Sequence, residues 1–375
     1  MCRRCIRVLV LLFIAPSLLA QISSVPASRL AHLRHGINLS EWFAQVYDPR
    51  GYTKEHFENW TTAADIALIK SAGFDHVRLS VNPGPIMEAE RHGKRGEYFG
   101  YLDAAVKMIL DAGLAVELDM HPDSDFKARM KEDDFVERFA DFWRTLAQHY
   151  SSSSWDPDRV FFEILNEPEM SDPYRWYGVE TKLAAAIRQG APSHTILAPG
   201  ARWDNDDDMI FLEPLRDPNV IYVFHFYEPH IFTHQGATWG SYYWRWLSHL
   251  HYPSDPQNAA QVAGNVPEAI HRLSVIRYGQ DHWGPERVEA EINQAADWAK
   301  QNHVPLICNE FGVFRNFSDP QDRARWITDV RTSLERHEIG WAMWDYSGSF
   351  GVVTKKNGQA TLDETTVKAL GLKMP

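Results

Sequence analysis

From about residue 34 onward, short apolar runs alternate with amphipathic stretches, and the alternation occurs eight times before the chain ends. This order predicts repeated parallel βαβ units. Most of the runs are too evenly apolar for a sheet with one solvated face, so they predict strands buried on both faces. The eight predicted strands are His35–Leu39, His76–Val81, Ala115–His121, Val160–Asn166, Thr195–Ala198, Val220–Tyr227, Pro305–Glu310 and Trp341–Tyr346.

The stretches between these runs have apolar positions near helical spacing, and several end at a glycine, a residue that favours helix termination. Eight such units favour a closed barrel over an open doubly wound sheet, because no glycine-rich dinucleotide turn follows the first strand. We therefore expect an α/β fold, a single-domain (β/α)8 TIM barrel over residues 34–375. The main predicted helices are Thr61–Ala72, Leu102–Ala112, Asp133–Tyr150, Tyr177–Gln189, Arg287–Asn302 and Asp322–His337, and the glycines are Gly73, Gly113, Gly190 and Gly340.

The N-terminus has the pattern of an export signal. Three arginines in the first seven residues precede an apolar run at Val8–Ile14, and Ser17-Leu18-Leu19-Ala20 follows as a plausible cleavage region. The run is far shorter than the roughly 20 residues that cross a bilayer core. We expect residues 1–20 to be a signal peptide that is removed and residues 21–33 to lead into the barrel. The expected location is secreted or periplasmic, without membrane association after cleavage.

The charge of the chain limits its partners. The formal net charge is −12, and removal of Arg3, Arg4 and Arg7 with the leader would make it −15. Nucleic acids and anionic lipids attract clustered Lys and Arg, so neither is an expected partner, and a neutral substrate fits better. Outside the leader only Cys308 remains, which excludes an internal disulfide. We expect a monomer.

An Asn-Glu pair stands at the carboxyl end of two of the predicted strands. Asn166-Glu167-Pro168 follows the fourth strand, and Asn309-Glu310 ends the seventh. The carboxyl ends of barrel strands surround one mouth, so Glu167 and Glu310 should face each other across it. Glycoside cleavage with retention of configuration needs two carboxyl groups about 5 Å apart, one protonated and one ionised.

Arg78, near the end of the second strand, suggests how the two glutamates differ. If Arg78 lies beside Glu310, its positive charge keeps Glu310 ionised, and that negative charge in turn keeps Glu167 protonated. Glu310 is then the predicted nucleophile and Glu167 the predicted acid/base. We predict neither a cofactor nor a metal for this chemistry.

These motifs, in this order, resemble glycoside hydrolase family 5, a cellulase-like family of retaining barrel glycosidases. The resemblance covers nearly all of the chain after the leader and rests on eight positions, which are Arg78, His121, Asn166, Glu167, His225, Tyr227, Glu310 and Trp344. It implies that Asn166 binds the sugar 2-hydroxyl, that Tyr227 orients the nucleophile and that His225 lies near the acid/base. It also implies that His121 binds the sugar beside the cleaved bond and that Trp344 forms the floor of that subsite.

Further residues are candidates for outer sugar subsites. Asn38 and Trp42 follow the first predicted strand, and Trp203 follows the fifth. Trp239 belongs to the longest loop, residues 228–285, which must lie on the active face of a barrel. Packing in the core is an equally good interpretation of Asn38, Trp42 and Trp203.

Other carboxylates of the sequence have structural interpretations. Glu117 and Glu163 lie within strands rather than at their ends, where carboxylates usually have structural partners. The acidic run Asp204–Asp208 lacks the ligand spacing and glycine turn of a calcium loop, so solvation is its predicted state.

Several alternatives remain in the sequence. A metal-dependent hydrolase fits poorly, because the His-any-His and His-Glu-any-any-His spacings are missing near the strand ends. A non-catalytic carbohydrate-binding barrel would keep the aromatic residues and lose one glutamate. Among glycosidases, the stretch from Phe232 to Trp239 is similar to cellulases and favours endo-β-1,4-glucanase activity. A β-mannanase and a β-1,3 or mixed-linkage glucanase remain open, so the expected partner is a β-glucan or a related polysaccharide.

Overall fold

The computed structural model describes residues 24–205 and 209–375. The predicted leader and residues 21–23 of the lead-in lie outside the described residues. Eight parallel strands form a closed barrel in the order β1 to β8, and β8 pairs with β1. The strands are β1 (His35–Phe43), β2 (His76–Val81), β3 (Ala115–Met120), β4 (Val160–Glu163), β5 (Ile196–Ala198), β6 (Val220–Phe226), β7 (Leu306–Phe311) and β8 (Gly340–Met343). The predicted (β/α)8 barrel is confirmed.

Helices connect the strands on the outside of the barrel. The six predicted helices are all present, with α5 beginning at Arg95 instead of Leu102. In chain order the helices are α1 (Ala27–Ala31), α2 (Lys54–Asn59), α3 (Ala63–Ala72), α4 (Pro83–Arg91), α5 (Arg95–Asp111), α6 (Ser124–Ala128), α7 (Asp133–Tyr150), α8 (Pro173–Gly190), α9 (His230–Thr233), α10 (Pro256–Ala263), α11 (Ala269–Gln280), α12 (Pro285–Asn302), α13 (Pro320–Arg336) and α14 (Glu364–Ala369). Within the described residues, none of the helices has the length and apolar character that a membrane crossing requires.

Local sequence chemistry explains where helices begin and end. The Asp172 side chain accepts hydrogen bonds from the first free amides of α8, and the proline that follows suits the first helical position. Gly73 ends α3 with φ 105°, a left-handed conformation that glycine adopts without strain. Gly340 was expected to end a helix, and this is wrong. It is the first residue of β8, and α13 has already ended at Arg336.

A two-stranded hairpin near the C-terminus was not predicted. Strand β9 (Val353–Lys356) pairs antiparallel with β10 (Gln359–Leu362). The connecting Asn357-Gly358 has φ values of 50° and 78°, which an Asn-Gly pair adopts readily in a tight hairpin turn. This turn signal was present in the sequence.

The interior of the barrel changes from apolar to polar toward its open mouth. One buried layer consists of aliphatic and aromatic side chains, including Phe161, Ile221 and Ile307. Arg78 and Glu163, both fully buried, also belong to the strand interior. Burial of charges is costly unless they are paired. The buried charged side chains near the mouth of the barrel must therefore pair with one another, and they form one connected network.

Candidate active site

Arg78 is the centre of that network. Its guanidinium is fully buried and donates to both carboxylate oxygens of Glu163, at 2.7 Å each. The Nη1 atom also donates to Glu310 Oε1 at 2.5 Å and to Asn38 Oδ1 at 2.9 Å, and Nη2 donates to Asn166 Oδ1 at 2.9 Å. Arg78 therefore ties the candidate nucleophile to the barrel interior, as the sequence predicted.

Both carboxylate oxygens of Glu310 accept hydrogen bonds. Arg78 binds Oε1, and the Tyr227 hydroxyl donates to Oε2 at 2.9 Å. Burial and the nearby charge of Glu310 raise the pKa of Tyr227 well above its usual value, so the phenol keeps the proton that it donates. Hydrogen bonds of this kind stabilise negative charge and hold Glu310 in one orientation.

Glu167 has a different partner. It follows β4 in a left-handed conformation with φ 44°, and its Oε1 lies 3.0 Å from His225 Nδ1. Burial would raise the pKa of Glu167, but the hydrogen bond and charge of His225 outweigh it and lower that pKa to about 2. Burial would lower the pKa of His225, but the charges of Glu310 and Asp204 and the contact with Glu167 raise it to about 9.

This protonation pattern corrects one expectation. Glu310 was expected to keep Glu167 protonated, whereas the contact with His225 lowers the pKa of Glu167 and raises that of His225. The reason is distance, because His225 Nδ1 lies 3.0 Å from Glu167 and also 3.5 Å from Glu310 Oε2. The cation between the two carboxylates offsets their repulsion.

The two glutamates are close enough for a displacement with retention. One carboxylate oxygen from each, together with a ring nitrogen of His225, lie within 4.8 Å of one another. Retaining glycosidases have carboxyl groups about 5–5.5 Å apart, whereas inverting enzymes leave a wider gap for water. The separation at this site corresponds to the retaining arrangement.

His121 and Trp344 line the site beside the glutamates. His121 Nδ1 lies 2.7 Å from Asp119 Oδ2, which fixes the ring, and Asp119 also lies 3.2 Å from Arg78 Nη2. The His121 ring is stacked against Trp344, with ring centroids 5.5 Å apart and an angle of 15° between the planes. Together they form an aromatic wall at the bottom of the cleft.

The site opens into a cleft of about 1110 Å³. Trp203 and Trp239 stand at the rim, with 57% and 48% of their surface exposed. Eight of the predicted site residues line the cleft, namely His121, Asn166, Glu167, Trp203, Tyr227, Trp239, Glu310 and Trp344. Arg78 and His225 lie behind the lining residues and contact the two glutamates.

Asn38 and Trp42 do not line the cleft, so their prediction as outer subsite residues is corrected. Strand β1 continues to Phe43 and carries both side chains into the protein. Asn38 is fully buried and donates to the backbone oxygens of Asn309 and Met343. The Trp42 indole is buried and donates to the Phe57 carbonyl at 2.8 Å.

The predicted structural carboxylates have the partners expected of them. Glu163 is bound by Arg78, and Glu117 accepts a hydrogen bond from Asn309 at 2.9 Å. The acidic run was predicted to be solvated, and this is wrong for Asp204, which is fully buried and accepts a hydrogen bond from the Glu167 amide. Residues 206–208 lie outside the described residues.

Several cleft residues were missed by the sequence analysis. Glu41, Asp345 and Lys127 line the cleft, and Lys127 lies beside Glu169. Burial, followed by the charge of Asp345, raises the pKa of Glu41 to about 7. The position of Asp345 directly after Trp344 was a usable signal, whereas neither Glu41 nor Lys127 stands in a recognisable motif.

Among the residues that the structure describes, two groups of side chains have the composition of a metal site. Glu163, Asp204 and His225 form one, and Glu167, His225 and Glu310 form the other. Both share His225, and the Arg78 guanidinium already occupies both oxygens of Glu163 and one oxygen of Glu310. A cation would be repelled by Arg78, so the donor sets are better suited to ion pairing within the protein.

A closed (β/α)8 barrel with two facing carboxylates in an aromatic cleft at the carboxyl ends of its strands defines a glycoside hydrolase. The particular family follows from comparison of the sequence. The chain belongs to glycosyl hydrolase family 5, since the sequence model described as Cellulase (glycosyl hydrolase family 5) matches residues 41–349. The resemblance stated from the motifs is thereby confirmed.

Known relatives agree with this membership. The chain is 29% identical over 328 residues to Endoglucanase C of Acetivibrio thermocellus, covering 84% of this chain and 92% of that protein. It is 31% identical to Cellodextrinase A of Ruminococcus flavefaciens, covering 81% and 82%. Solved structures of Thermotoga maritima Cel5A in complex with cellobiose (a mutant form) and with mannotriose are each 25% identical, with a TM-score of 0.73; they cover 92% and 91% of this chain and 99% and 98% of theirs.

Proposed function

We propose that this glycoside hydrolase is a retaining endo-β-1,4-glucanase, with Glu310 as nucleophile and Glu167 as acid/base. The observation that carries the proposal is the pair of glutamates within 4.8 Å, each with its own partners. Arg78 and Tyr227 stabilise the anion of Glu310, while His225 holds a proton beside Glu167. The different partners of the two carboxyl groups suit Glu310 to act as nucleophile and Glu167 to act as acid/base.

In the first step, Glu310 attacks the anomeric carbon and the bond to the leaving oxygen breaks. The leaving oxygen takes a proton from Glu167, which receives it from His225 Nδ1 at 3.0 Å. In the second step, Glu167 accepts a proton from water, and the resulting hydroxide equivalent displaces Glu310 from the sugar. Two inversions at the same carbon give net retention.

Asn166 is suited to bind the sugar 2-hydroxyl. Its Oδ1 accepts a hydrogen bond from Arg78, so the amide nitrogen is the end that remains for the cleft. A bond to the 2-hydroxyl strengthens as positive charge develops at the anomeric carbon. Asn166 therefore contributes more to the transition state than to substrate binding.

The relatives support a β-1,4-glucan as the substrate. Several of them are named endoglucanases, and one is named a cellodextrinase. A β-mannan is the second candidate, because a solved structure of similar fold is described with mannotriose as well as cellobiose. Product analysis on carboxymethyl-cellulose, barley β-glucan, laminarin, glucomannan and galactomannan separates these substrates. Release of short oligomers from the β-1,4-glucans is expected, and preference for mannan or laminarin would replace the substrate.

The nucleophile is tested by Glu310→Gln. The variant should fold and bind oligosaccharide, while hydrolysis falls by several orders of magnitude because glutamine cannot form the glycosyl ester. Glu137→Gln on α7, whose side chain pairs with Lys182 outside the cleft, is the matched control and should keep full activity. Near-normal hydrolysis by Glu310→Gln contradicts the assignment.

We also propose that the protein is exported and acts as a monomer. The pattern of the first twenty residues supports export, and the acidic net charge favours a protein that stays dissolved. Mass analysis of the protein recovered from its native host tests cleavage near Ala20. Size-exclusion chromatography with light scattering tests the monomer.

A further inference from the structure

The turn after β5 places two neighbouring side chains on opposite sides. Trp203 and Asp204 are both left-handed, with φ values of 52° and 54°. Trp203 stands exposed at the rim of the cleft, while Asp204 is fully buried beneath it. The turn is fixed to the neighbouring elements, because the Trp203 amide donates to the Pro168 carbonyl and the His225 amide donates to the Asp204 carbonyl. The backbone therefore holds Asp204 at one position under the candidate acid/base.

The Asp204 carboxyl group contacts Glu167 from below. Its Oδ2 accepts a hydrogen bond from the Glu167 backbone amide at 2.8 Å. The same oxygen lies 3.5 Å from His225 Nε2, on the far side of the ring from the Nδ1 that meets Glu167. A closed ring of contacts thus runs from the Glu167 amide through Asp204 and His225 to the Glu167 carboxylate.

The ring does not satisfy every buried atom of Asp204, because its Oδ1 has no hydrogen-bond partner among the described residues. Glu167 has a positive φ, a conformation that residues with a β-carbon rarely adopt and that the surrounding structure must hold. Asp204 is the side chain that binds its amide. The groups around Asp204 are His225 on β6, Glu163 on β4, Glu167 itself and Glu180 on α8. Three of these are carboxyl groups, so a carboxyl at this place is electrostatically unfavourable unless it serves the site.

We propose that Asp204 is a positioning residue for the proton donor. By binding the Glu167 amide and lying 3.5 Å from His225 Nε2, Asp204 keeps the Glu167 carboxyl group at the leaving oxygen. This inference rests on the proposed function of Glu167 as acid/base. Asp204 does not touch the sugar, so its effect is on the proton-transfer step and not on substrate binding.

The test compares substrates that differ only in the leaving group. Phenyl β-cellobioside needs protonation of its leaving oxygen, whereas dinitrophenyl β-cellobioside releases a stable anion without it. We expect Asp204→Ala to lower kcat/KM on the phenyl substrate by roughly 100-fold, the loss expected from a displacement of about 1 Å at a reacting group. On the dinitrophenyl substrate the loss should stay below about fivefold. KM for a soluble β-glucan should not change.

The conservative variant and a control complete the test. Asp204→Asn keeps an oxygen acceptor for the Glu167 amide and should recover at least about tenfold of the loss on the phenyl substrate. Asp322→Asn removes another buried carboxylate, one that pairs with Arg325 in α13, and should leave the ratio of the two substrates unchanged. If Asp204→Ala does not fold, Asp204→Glu replaces it, because the longer side chain displaces the carboxyl group while keeping its chemical type.

The outcomes separate the inference from the function on which it rests. Equal losses of Asp204→Ala on the two aryl substrates, or no loss on either, overturn the positioning role while the glycosidase function stands. The same conclusion follows if Asp204→Glu is the variant measured and the substrate ratio is unchanged. A wild-type enzyme inactive on both aryl cellobiosides and on the polysaccharide panel overturns the proposed function itself.

Discussion

At the scale of single residues, the protonation of the site depends on one imidazole among three carboxyl groups. His225 faces Glu167 and Glu310 with Nδ1 and Asp204 with Nε2. Its pKa is raised to about 9 while that of Glu167 is lowered to about 2, so the pair carries one proton over the range between them. The proposed acid/base, Glu167, thus has a titratable partner within hydrogen-bond distance.

Glu167→Ala tests the acid/base role chemically. We expect turnover of dinitrophenyl β-cellobioside to fall by roughly 100- to 10,000-fold, because no base activates water in the second step. Sodium azide should restore the rate, since a small anion needs no base and fits the space left by the side chain. Nuclear magnetic resonance of the product should show the β-glycosyl azide. Absence of rescue, or an α-azide, contradicts the role given to Glu167.

Glu41 gives a prediction about stability and pH. Burial and the charge of Asp345 raise its pKa from 4.5 to about 7, so the folded state binds this proton more tightly than the unfolded state does. Its contribution to stability is therefore present below pH 4.5 and is lost as the pH rises to about 7. Glutamine imitates the protonated carboxyl group at every pH.

The expected result for Glu41→Gln follows from this sign. Its melting temperature should match that of the wild type near pH 4.5 and exceed it at about pH 8, as measured by differential scanning calorimetry. The exposed Glu137→Gln serves as the control for the chemical change alone. A difference between Glu41→Gln and the wild type that does not grow with pH refutes the raised pKa.

At the scale of elements, closure of the barrel depends on the close approach of the last strand, β8, to the chain segment that enters the first strand, β1. Gly340 begins β8, which pairs with β1, and a β-carbon at this position would lie 1.9 Å from the backbone oxygen of Leu33. That atom belongs to the chain entering β1, so it cannot rotate away as a side chain could. Glycine is required here for space and not for its dihedral freedom.

Gly340→Ala should therefore destabilise the protein by about 1–3 kcal/mol or more, as overpacking does. Gly178→Ala in α8 is the matched control, because a β-carbon there meets no atom within 4 Å. It should stabilise the protein by about 0.5–1 kcal/mol through higher helix propensity. Chemical denaturation measures both. A Gly340→Ala variant as stable as the wild type would show that the backbone around Gly340 and Leu33 is packed less tightly than the contacts indicate.

At the scale of the whole molecule, the cleft joins side chains from most of the barrel loops. Trp203 comes from the turn after β5 and Trp239 from the long loop after β6, which contains α9 to α11. Sugar rings have apolar faces that stack on aromatic side chains. The two exposed indoles that line the cleft suit a polymer that extends beyond the cleaved bond.

Trp203→Ala and Trp239→Ala should each raise KM for a long soluble β-glucan by about tenfold, corresponding to about 1–1.5 kcal/mol of stacking. If one of the indoles contacts only the outer sugars, its removal should change KM for an aryl cellobioside less than KM for the β-glucan. Tyr174→Ala on α8 removes a still more exposed ring outside the cleft and should change neither constant. Unchanged KM in both tryptophan variants contradicts a role for the rim in binding.

The fold was largely predictable because the sequence patterns that indicate its strands and helices are local, each within a short stretch of the chain. Buried strands and amphipathic helices repeat along the chain, and all eight barrel strands lie where the apolar runs do. The errors at the ends, such as β4 ending at Glu163 and Gly340 beginning a strand, arise because hydrogen-bonded pairing between strands sets those boundaries. The hairpin at Asn357-Gly358 was missed although its turn signal is local.

The sequence by itself determined the barrel and the family and predicted the two glutamates of the candidate site, because strand-end motifs are read from neighbouring residues. Only the tertiary structure decided that Asn38 and Trp42 point inward, that Asp204 is buried under Glu167, and that the contact with His225 lowers the pKa of Glu167. These features depend on contacts between residues far apart in the chain. The effects of burial and charge depend on distances in space, and the spacing of residues along the sequence does not determine those distances.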